Sequence, residues 1–410
     1  MKKTCRICCG NNLMRFLDLG FTPLADAFLT ASQLGEPEIY YPLDVYLCDD
    51  CSLVQLGYVV PPEILFQRDY PYVSSTTQTG RDHFHSFAID AFSRFDIQPD
   101  DLVVDIGSNV GVLLQGFKNR GVKNVLGIEP AANICQIARN NGIDTINEFF
   151  SEKVADKIAG TRKTAKIVTG TNVIAHIDNH HALARAVKKL LAPKGVFIFE
   201  APYFVNLLAN LEYDTIYHEH LSYLSVKPLK HLFDSFGMEI FDALEVSIHG
   251  GSLRYFVADK GDYPVADNVS RLLRLESEGK TYDTKTLSEF ARMVQKNREE
   301  LTWLLHSLKK AGKRIAGVSA PAKGMTLLNY CKIGTETLDF ITEKASLKIG
   351  KFTPGIHIPV LPDSELTKQK PDYALLLAWN FADEIMKNME DYHRAGGKFI
   401  IPIPKPAIIE

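Results

Sequence analysis

The fold is decided by two stretches, Leu102-Val-Val-Asp-Ile-Gly-Ser-Asn-Val-Gly-Val-Leu-Leu and Asn124-Val-Leu-Gly-Ile-Glu. The first stretch predicts a buried parallel strand, a glycine-rich turn and the start of a helix. The second predicts the next strand, which ends in an acid. Gly107 and Gly111 allow a tight turn and a close approach to a ligand, and the helix N–H groups would point at that ligand. Glu129, about 20 residues further on, can accept hydrogen bonds from ribose hydroxyls. The pattern therefore indicates a nucleoside-cofactor site.

The glycine spacing distinguishes between nucleoside cofactors. A dinucleotide fingerprint reads G-x-G-x-x-G, and Asn109 replaces its middle glycine here. A D-x-G-x-x-x-G loop with a downstream glutamate resembles the S-adenosylmethionine loop of class I methyltransferases. A dinucleotide site and a purely structural glycine turn are the alternatives. The resemblance implies cofactor contacts from Asp105, Gly107, Ser108, Asn109, Gly111 and Glu129.

Composition limits the classes of function. A chain of 410 residues predicts two or three domains. The net charge is only -3, without basic or acidic blocks, so neither nucleic acid nor an anionic membrane surface is an expected partner. No apolar run has the length of a membrane span, and the first residues lack the apolar core of a signal peptide. The seven cysteines are few and unevenly placed, which favours a reducing, cytoplasmic setting.

Two C-x-x-C pairs occur near the N-terminus, Cys5/Cys8 and Cys48/Cys51. Four thiolates form a closed tetrahedral zinc site, which is structural and has no open position for chemistry. Cys9 could compete with Cys8, although the spacing favours Cys8. We predict a small β-rich zinc-binding module over residues 1–70, in which the ion supplies stability that a small core lacks.

Strands and helices alternate over residues 71–262, which predicts a Rossmann-like methyltransferase domain closed by an antiparallel pair. Tyr72, in a hydroxyl-rich segment, could face a ligand; alternatively, this segment simply caps the next helix. Phe149 or Phe150 could stack on an adenine ring, or both could belong to the core. Asn172 and His176 follow the fourth strand, at the sheet edge where ligands bind.

An unusual cluster follows the fifth strand: Tyr217-His-Glu-His220. Methyl transfer to carbon requires a base of moderate pKa and a group that stabilises the developing oxyanion. His220 can serve as the base, Tyr217 can donate to the oxyanion, and Glu219 can orient or share the proton. Metal binding by residues 218–220 and a purely structural role are the alternatives.

These motifs together resemble the sugar C-methyltransferase family. The resemblance covers essentially the whole chain and rests on the four-cysteine module, Tyr217-His-Glu-His-Leu-Ser-Tyr, Ser247-Ile-His-Gly-Gly-Ser-Leu-Arg and the C-terminal motifs. It implies methylation at C-3 of a nucleotide-activated 4-keto-6-deoxysugar. The implied catalytic residues are Tyr217, Glu219, His220 and His176. In the implied chemistry, a base removes the acidified C-3 proton and the resulting enolate takes the methyl group.

The last part, residues 263–410, begins with a charged helical region and then predicts a second Rossmann-like α/β domain. Its loop Ala320-Pro-Ala-Lys-Gly-Met-Thr resembles the family's usual Ala-Ser-Ala-Lys-Gly-Asn-Thr, with Pro321 and Met325 as differences. The resemblance assigns this domain to the nucleotide carrier of the sugar, whereas a second cofactor is the alternative. Lys323, Asn380, His249 and Tyr72 are the predicted substrate contacts.

The sequence therefore predicts an α/β enzyme that uses S-adenosylmethionine and a structural Zn²⁺. Thymidine diphosphate is the carrier that the family favours, with guanosine and cytidine diphosphates as alternatives. We expect a cytoplasmic monomer or weak homodimer. The competing hypotheses are an O- or N-methyltransferase of another small molecule and a non-catalytic protein that binds nucleotide sugars.

Overall fold

The computed structural model describes residues 2–67 and 70–410, and the side chain of His249 lies outside the described part. Arg68 and Asp69, which belong to the hydroxyl-rich segment, also lie outside it. The elements of the N-terminal part are β1 (Leu13–Thr22), a 3-10 turn (Ala31–Gln33), β2 (Tyr41–Cys48), β3 (Val54–Leu56) and α1 (Pro62–Phe66).

The middle part alternates strands and helices, as its apolar runs predict. Its helices and strands are α2 (Gln78–Arg94), β4 (Leu102–Ile106), α3 (Val112–Lys118), β5 (Asn124–Ile128), α4 (Ala132–Asn140), β6 (Thr145–Ile146), α5 (Glu152–Thr161), β7 (Ala165–Thr171), α6 (His180–Leu190), β8 (Leu191–Pro202), α7 (Phe204–Ala209), β9 (Ser222–Tyr223), α8 (Val226–Asp234), β10 (Met238–Val246) and β11 (Ser252–Asp259). Its 3-10 turns are Ile174–His176, Tyr213–Thr215 and Ile248–Gly250.

The C-terminal part opens with two helices, as the charged helical region predicts, and continues as a second α/β unit. Its elements are α9 (Asp267–Glu278), α10 (Thr284–Lys310), β12 (Ile315–Val318), α11 (Ala322–Cys331), β13 (Ile341–Glu343), β14 (Val360–Pro362), α12 (Ser364–Gln369), β15 (Tyr373–Leu376), a 3-10 turn (Trp379–Phe381), α13 (Ala382–Asn388), α14 (Glu390–Arg394), β16 (Lys398–Ile401) and β17 (Ala407–Ile409).

Within the described residues, these strands form three sheets. The N-terminal sheet has the order β1-β2-β3-β9, and each neighbouring pair is antiparallel. The middle sheet has the order β10-β11-β8-β7-β4-β5-β6; it is parallel from β8 to β6, and β11 and β10 close it in antiparallel fashion. The predicted Rossmann-like sheet and its antiparallel closing pair are therefore confirmed. The division of the chain at residues 70 and 262 stays a prediction.

The C-terminal sheet repeats the plan of the middle sheet. Its order is β14-β13-β12-β15-β16-β17, with β12 at the centre and only β17 antiparallel to its neighbour. If β12 is aligned with β4, then β13, β14, β15, β16 and β17 correspond to β5, β6, β7, β8 and β11. This matching strand order confirms the predicted second Rossmann-like domain. In both sheets the loop after the central strand, β4 or β12, lies at the carboxyl edge, where such sheets bind ligands.

The central strands β4 and β12 have mostly apolar sequences and are buried. All five residues of β4 are buried, because helices cover both faces of a parallel sheet. One buried cluster joins the N-terminal sheet to the C-terminal sheet through Leu43, Tyr213 and Ile341. Another joins Cys5 and Cys48 to the middle sheet. The three sheets therefore share cores.

None of the helices in the described part combines the length and the apolar character that a membrane crossing demands.

A buried carboxylate connects the middle sheet to the helices that follow it. Glu276 of α9 is 1% exposed. It accepts hydrogen bonds from the backbone N–H groups of Val226 at 2.7 Å and Lys227 at 3.0 Å. It also accepts the hydroxyls of Tyr203 at 3.1 Å and Tyr282 at 2.7 Å. A single acid thus caps α8 and binds two further segments.

We expect Glu276→Ala to destabilise the protein strongly. The change leaves several buried donors without an acceptor, at a cost of about 1–3 kcal/mol each. The free energy of unfolding should fall by at least about 3 kcal/mol in urea denaturation. Glu278→Ala is the matched control, because Glu278 lies in the same helix but is exposed. A loss as small as that of the control would contradict the role of Glu276.

Candidate functional site

The four predicted zinc ligands lie together. The sulfur atoms of Cys5, Cys8, Cys48 and Cys51 all lie within 4.8 Å of one another. The shortest separations are 3.5 Å, between Cys5 and Cys51, and 3.4 Å, between Cys8 and Cys48. A tetrahedral zinc ion with Zn–S bonds of about 2.3 Å spaces its sulfurs about 3.8 Å apart. The donor set therefore fits a structural zinc ion.

The structure distinguishes Cys8 from Cys9. Cys9 is exposed, lies outside the cluster of four, and has a left-handed backbone with φ of 61°. The cluster therefore uses Cys8, as the spacing predicts.

The cysteine cluster is attached to the middle sheet. Arg6, which is 3% exposed, donates from Nε to Asp178 at 2.9 Å and from a guanidinium N–H to the carbonyl of Leu56 at 2.7 Å. Asp178 follows the 3-10 turn after β7 that carries His176. The zinc module therefore contacts the same sheet edge as the cofactor loop.

The cofactor loop has the tight turn that its glycines predict. Gly107 and Gly111 have φ values of 66° and 82°. A Cβ atom at Gly107 would lie 2.8 Å from Val173, and one at Gly111 would lie 2.7 Å from Ile143. A side chain at either position would clash with the protein itself. The glycines are thus required for packing of the loop as well as for its backbone conformation.

Glu129 shapes this loop. Its carboxylate accepts the backbone N–H of Asn109 at 3.0 Å and that of Ala131 at 2.9 Å. The group is buried, and burial raises its pKa above the ordinary range, although the two N–H donors oppose this shift. Since carboxylate oxygens accept more than one hydrogen bond each, Glu129 retains acceptor capacity for a ribose.

The side chain of Asn109 binds the hydroxyl-rich segment. Its Oδ1 accepts the N–H of Ser74 at 2.9 Å, and its Nδ2 donates to the carbonyl of Tyr72 at 3.1 Å. Thr77 at the end of the segment caps α2 by accepting from the N–H of Gly80 at 3.1 Å. The segment therefore caps the helix and also covers the cofactor loop. The side chain of Tyr72 is 44% exposed.

The remaining predicted cofactor residues line the same edge. Asp105 accepts the hydroxyl of Thr169 at 2.7 Å, and burial raises the pKa of this carboxyl to about 7. Among the described residues, Ser108 Oγ and Asn172 Oδ1 are buried polar atoms without a hydrogen-bond partner. Phe149 is half-buried, whereas Phe150 packs on the main core. Unsatisfied buried polar atoms beside a glycine loop fit a polar ligand such as S-adenosylmethionine.

The reaction cluster brings three predicted catalytic residues into ring contact. The rings of His176 and His220 stack with their centroids 5.1 Å apart, and those of Tyr217 and His220 lie 4.0 Å apart. Burial, and secondarily the neighbouring His220, hold the pKa of His176 well below its usual value. Burial also holds the pKa of the Tyr217 phenol well above its usual range. His176 is therefore neutral and Tyr217 keeps its proton at neutral pH.

A backbone carbonyl fixes the tautomer of His220. Its Nδ1 lies 2.7 Å from the carbonyl oxygen of Thr215. Because a carbonyl only accepts, Nδ1 carries the hydrogen and Nε2 of the neutral ring carries the lone pair. His220 can therefore act as a base through Nε2.

Glu219 is 5% exposed and accepts the hydroxyl of Tyr70 at 3.1 Å. Burial, together with the nearby carboxylate of Asp26, raises the pKa of Glu219 to about 8. Asp26 pairs with Lys348 at 3.0 Å, so residues from both ends of the chain approach this acid. Glu219 is therefore mainly protonated at neutral pH and can donate a hydrogen bond.

His218 faces away from its neighbours in the cluster. It is 1% exposed, and its ring meets that of Tyr41 edge-on at 5.7 Å, in the N-terminal sheet. Among the described residues, the four cysteines are the only group of three or more His, Cys, Asp or Glu ligands that could hold a metal. The geometry gives the metal alternative for residues 218–220 no support.

Two predicted substrate contacts lie side by side. Lys323 donates to Oδ1 of Asn380 at 3.1 Å, and its ammonium lies 4.1 Å from the ring centroid of Trp379. A cavity of about 390 Å³ is lined by Thr79 and by residues 379–384. The cavity thus lies between the start of α2 and the C-terminal domain. The prediction for His249 concerns a side chain outside the described part.

Several residues of this region escaped the sequence analysis. Phe66 stacks on His176 with centroids 5.5 Å apart, Tyr70 bonds Glu219, and Asp214 accepts the indole N–H of Trp379 at 2.7 Å. Only Tyr70 carried a signal, as a member of the hydroxyl-rich segment. The others are brought to the site by tertiary contacts that no local pattern reveals.

We expect Cys48→Ser to abolish zinc binding and loosen the N-terminal module. Three thiolates no longer complete the tetrahedron, and a structural zinc ion contributes on the order of 10 kcal/mol to folding of small modules. Elemental analysis should fall from one zinc per chain to nearly none, and hydrogen exchange should increase in β1 to β3. Cys9→Ser is the matched control and should keep its zinc. Equal zinc content in the two variants would contradict the assigned ligand set.

Three family descriptions match successive parts of the chain. A zinc binding domain matches residues 5–66, a methyltransferase domain matches residues 81–243, and a C-methyltransferase C-terminal domain matches residues 247–404.

Individual relatives agree with these matches. The C-methyltransferase NovU of Streptomyces niveus is 36% identical over 406 residues, which cover 99% of this chain and 96% of that protein. A ubiquinone biosynthesis O-methyltransferase of Neisseria meningitidis is 24% identical over 175 residues, covering 39% of this chain and 73% of that protein. A solved S-adenosylmethionine-dependent methyltransferase of Clostridium acetobutylicum aligns with a TM-score of 0.35 and 15% identity, over 44% of this chain and 92% of that one.

The match to NovU spans the zinc module, the methyltransferase sheet and the second α/β domain in the same order. The other two relatives cover less than half of this chain. On the strength of the full-length similarity, this chain belongs to the C-methyltransferase family that includes NovU.

Proposed function

We propose that this protein is an S-adenosylmethionine-dependent enzyme that methylates C-3 of a nucleotide-activated 4-keto-6-deoxysugar. The observation that carries the proposal is the ring contact of His220 with both His176 and Tyr217, in a chain of the C-methyltransferase family. Carbon methylation requires a base and an oxyanion donor, and this cluster offers both.

The cofactor residues are assigned from the loop. Glu129 would bind the ribose hydroxyls, and the buried atoms Ser108 Oγ and Asn172 Oδ1 would meet polar groups of the same molecule. Phe149, half-buried beside the core, would contact the adenine ring. When bound, S-adenosylmethionine supplies the methyl group as an electrophile. The cysteine cluster would hold zinc for stability alone, since four thiolates leave no open position.

His220 is the proposed base. A 4-keto group acidifies the hydrogen on C-3, and Nε2 of His220 would take that proton while the electron pair of the C–H bond moves toward the keto oxygen. General base catalysis of this kind contributes roughly a hundredfold to ten-thousandfold. The neutral ring of His176, stacked on His220, would limit movement of the base.

Two neutral acids are the proposed oxyanion donors. Tyr217 keeps its phenolic proton because burial raises its pKa, and Glu219 is mainly protonated below pH 8 for the same reason. Donors that are already oriented stabilise developing negative charge without reorganisation. A neutral Glu219 also avoids placing a second negative charge beside the developing enolate.

The sugar nucleotide would bind between the methyltransferase sheet and the C-terminal domain. Lys323, Asn380 and Tyr72 are the proposed contacts, together with His249, and the cavity next to Trp379 supports this location. Thymidine diphosphate is the proposed carrier, with guanosine and cytidine diphosphates as alternatives. We propose a cytoplasmic monomer or weak homodimer.

The test is an assay with S-adenosylmethionine and 4-keto-6-deoxysugars linked to thymidine, guanosine or cytidine diphosphate. We expect C-methylated product from at least one substrate, identified by NMR, and exchange of the C-3 hydrogen in deuterium oxide. An O-methyl or N-methyl product would replace the proposal with the competing enzyme hypothesis. If no substrate gives either methylation or exchange of the C-3 hydrogen, the proposed function is rejected.

His220→Asn is the matched variant for this assay. It keeps a polar side chain of similar size but has no basic nitrogen, so both exchange and methylation should fall at least about a hundredfold. Binding of S-adenosylmethionine, measured by calorimetry, should be unchanged. Wild-type exchange in this variant would exclude His220 as the base.

We expect Glu219→Gln to change the pH profile more than the maximal rate. Glu219 loses its proton as pH rises through about 8, so activity that depends on its neutral form should decline above that pH. Glutamine is neutral at every pH and still donates a hydrogen bond. The variant should keep at least about a tenth of the wild-type kcat and should lose the alkaline limb assigned to Glu219. An unchanged alkaline limb would show that another group causes it.

A further inference from the structure

Asp214 is a buried carboxylate to which the proposed chemistry gives no role. It lies in the 3-10 turn Tyr213–Thr215, just before the reaction cluster, and its exposed fraction is 0%. An isolated carboxylate in such a place would be strongly destabilised. The groups that contact this carboxylate therefore show how its burial is compensated.

These partners come from the C-terminal domain. The indole Nε1 of Trp379 donates to Oδ2 of Asp214 at 2.7 Å, and Nζ of Lys323 lies 3.6 Å from the same oxygen. The ammonium of Lys323 also lies over the face of the Trp379 ring, 4.1 Å from its centroid. The ammonium also donates a hydrogen bond to Oδ1 of Asn380 at 3.1 Å. Cation, ring and carboxylate form one contact between two domains, which we term the Asp214 latch.

The same turn holds the proposed base. The carbonyl of Thr215, one residue after Asp214, accepts the Nδ1–H of His220 at 2.7 Å. The hydroxyl of Thr215 donates to the carbonyl of Glu212 at 2.7 Å, which closes the turn on itself. A displacement of Asp214 would therefore move the carbonyl that selects the tautomer of His220.

We propose that Asp214 is a positioning residue, and that its contact with Trp379 and Lys323 fixes the turn that keeps His220 in the tautomer with the hydrogen on Nδ1. The inference rests on the proposed role of His220 as base. It adds that residues of the C-terminal domain, which would carry the sugar nucleotide, hold the turn on which the base depends.

The chain offers a matched pair of variants. It contains two tryptophans, and Trp303 is 71% exposed on α10, away from this contact. Trp379→Phe keeps an aromatic face for Lys323 but removes the N–H donor, and Trp303→Phe is the control. We expect kcat of the Trp379→Phe variant to fall roughly tenfold to a hundredfold, with a smaller change in KM. The control should retain wild-type values.

A second measurement reads the tautomer directly and does not depend on turnover. In protein labelled with ¹⁵N-histidine, the signals of His220 are assigned by their loss in His220→Asn. Wild-type enzyme should show the Nδ1–H form, whereas Trp379→Phe and Asp214→Asn should show increased Nε2–H form or an averaged signal. In Trp303→Phe, Trp379 is the sole tryptophan, and its emission, excited selectively at a wavelength that tyrosine does not absorb, should shift when Asp214 is also changed to Asn.

The outcomes separate the two proposals. If wild-type enzyme methylates no sugar nucleotide but the tautomer of His220 still changes in the latch variants, the positioning role holds and the proposed function fails. If Trp379→Phe keeps both the wild-type kcat and the Nδ1–H signal, the positioning role is rejected and the proposed function stands. A loss of activity with an unchanged tautomer would also reject it, because the contact would then act by another route.

Discussion

A carboxylate inside a protein must be met by donors, and most of the organisation described above depends on how this chain meets that requirement. Glu129 gathers the N–H groups of the cofactor loop, Glu276 joins a helix N-terminus to two tyrosines, and Asp214 joins two domains. In each case at least one donor comes from a different element than the acid. Because an unpaired buried charge costs several kcal/mol, each acid makes the docking of its element nearly obligatory.

The same device appears twice in corresponding places. Glu343, at the end of β13, accepts the N–H of Ala320 at 2.8 Å and that of Ala345 at 3.0 Å. Glu129 follows β5 and accepts equivalent N–H groups from the loop after β4 and from the residue two positions on. Together with the matching strand orders, this makes the C-terminal domain a second version of the middle one. The two domains share a scaffold, while their loops differ: glycines form the first, and Ser319 with φ of 67° forms the second.

The sequence predicted those parts of the molecule that local patterns specify. Buried strands, the glycine loop and its acid, the two cysteine pairs and the antiparallel closing pair all carry periodicity or spacing that follows from backbone geometry. The Tyr217–His220 cluster stood out because so many reactive groups lie next to one another in sequence. Contacts such as Trp379 with Asp214 and Phe66 with His176 were not predictable, because they join segments that are distant in sequence and have no period. His218 illustrates the converse, since adjacency in sequence suggested a shared site, whereas in the structure its ring contacts Tyr41 of the N-terminal sheet.

The pairing of β3 with β9 has a consequence for synthesis of the chain. Val54 pairs with Tyr223, so the N-terminal sheet gains its last strand only after more than 160 further residues have been made. At about 5–20 residues per second, the ribosome needs roughly ten to thirty seconds for that length. During this interval the outer edge of β3 lacks its native partner, although both cysteine pairs, one before β1 and one at the turn between β2 and β3, are already present. β3 is only three residues long, and so short an edge is a poor template for aggregation. The nascent module can thus wait for β9 without a long exposed strand.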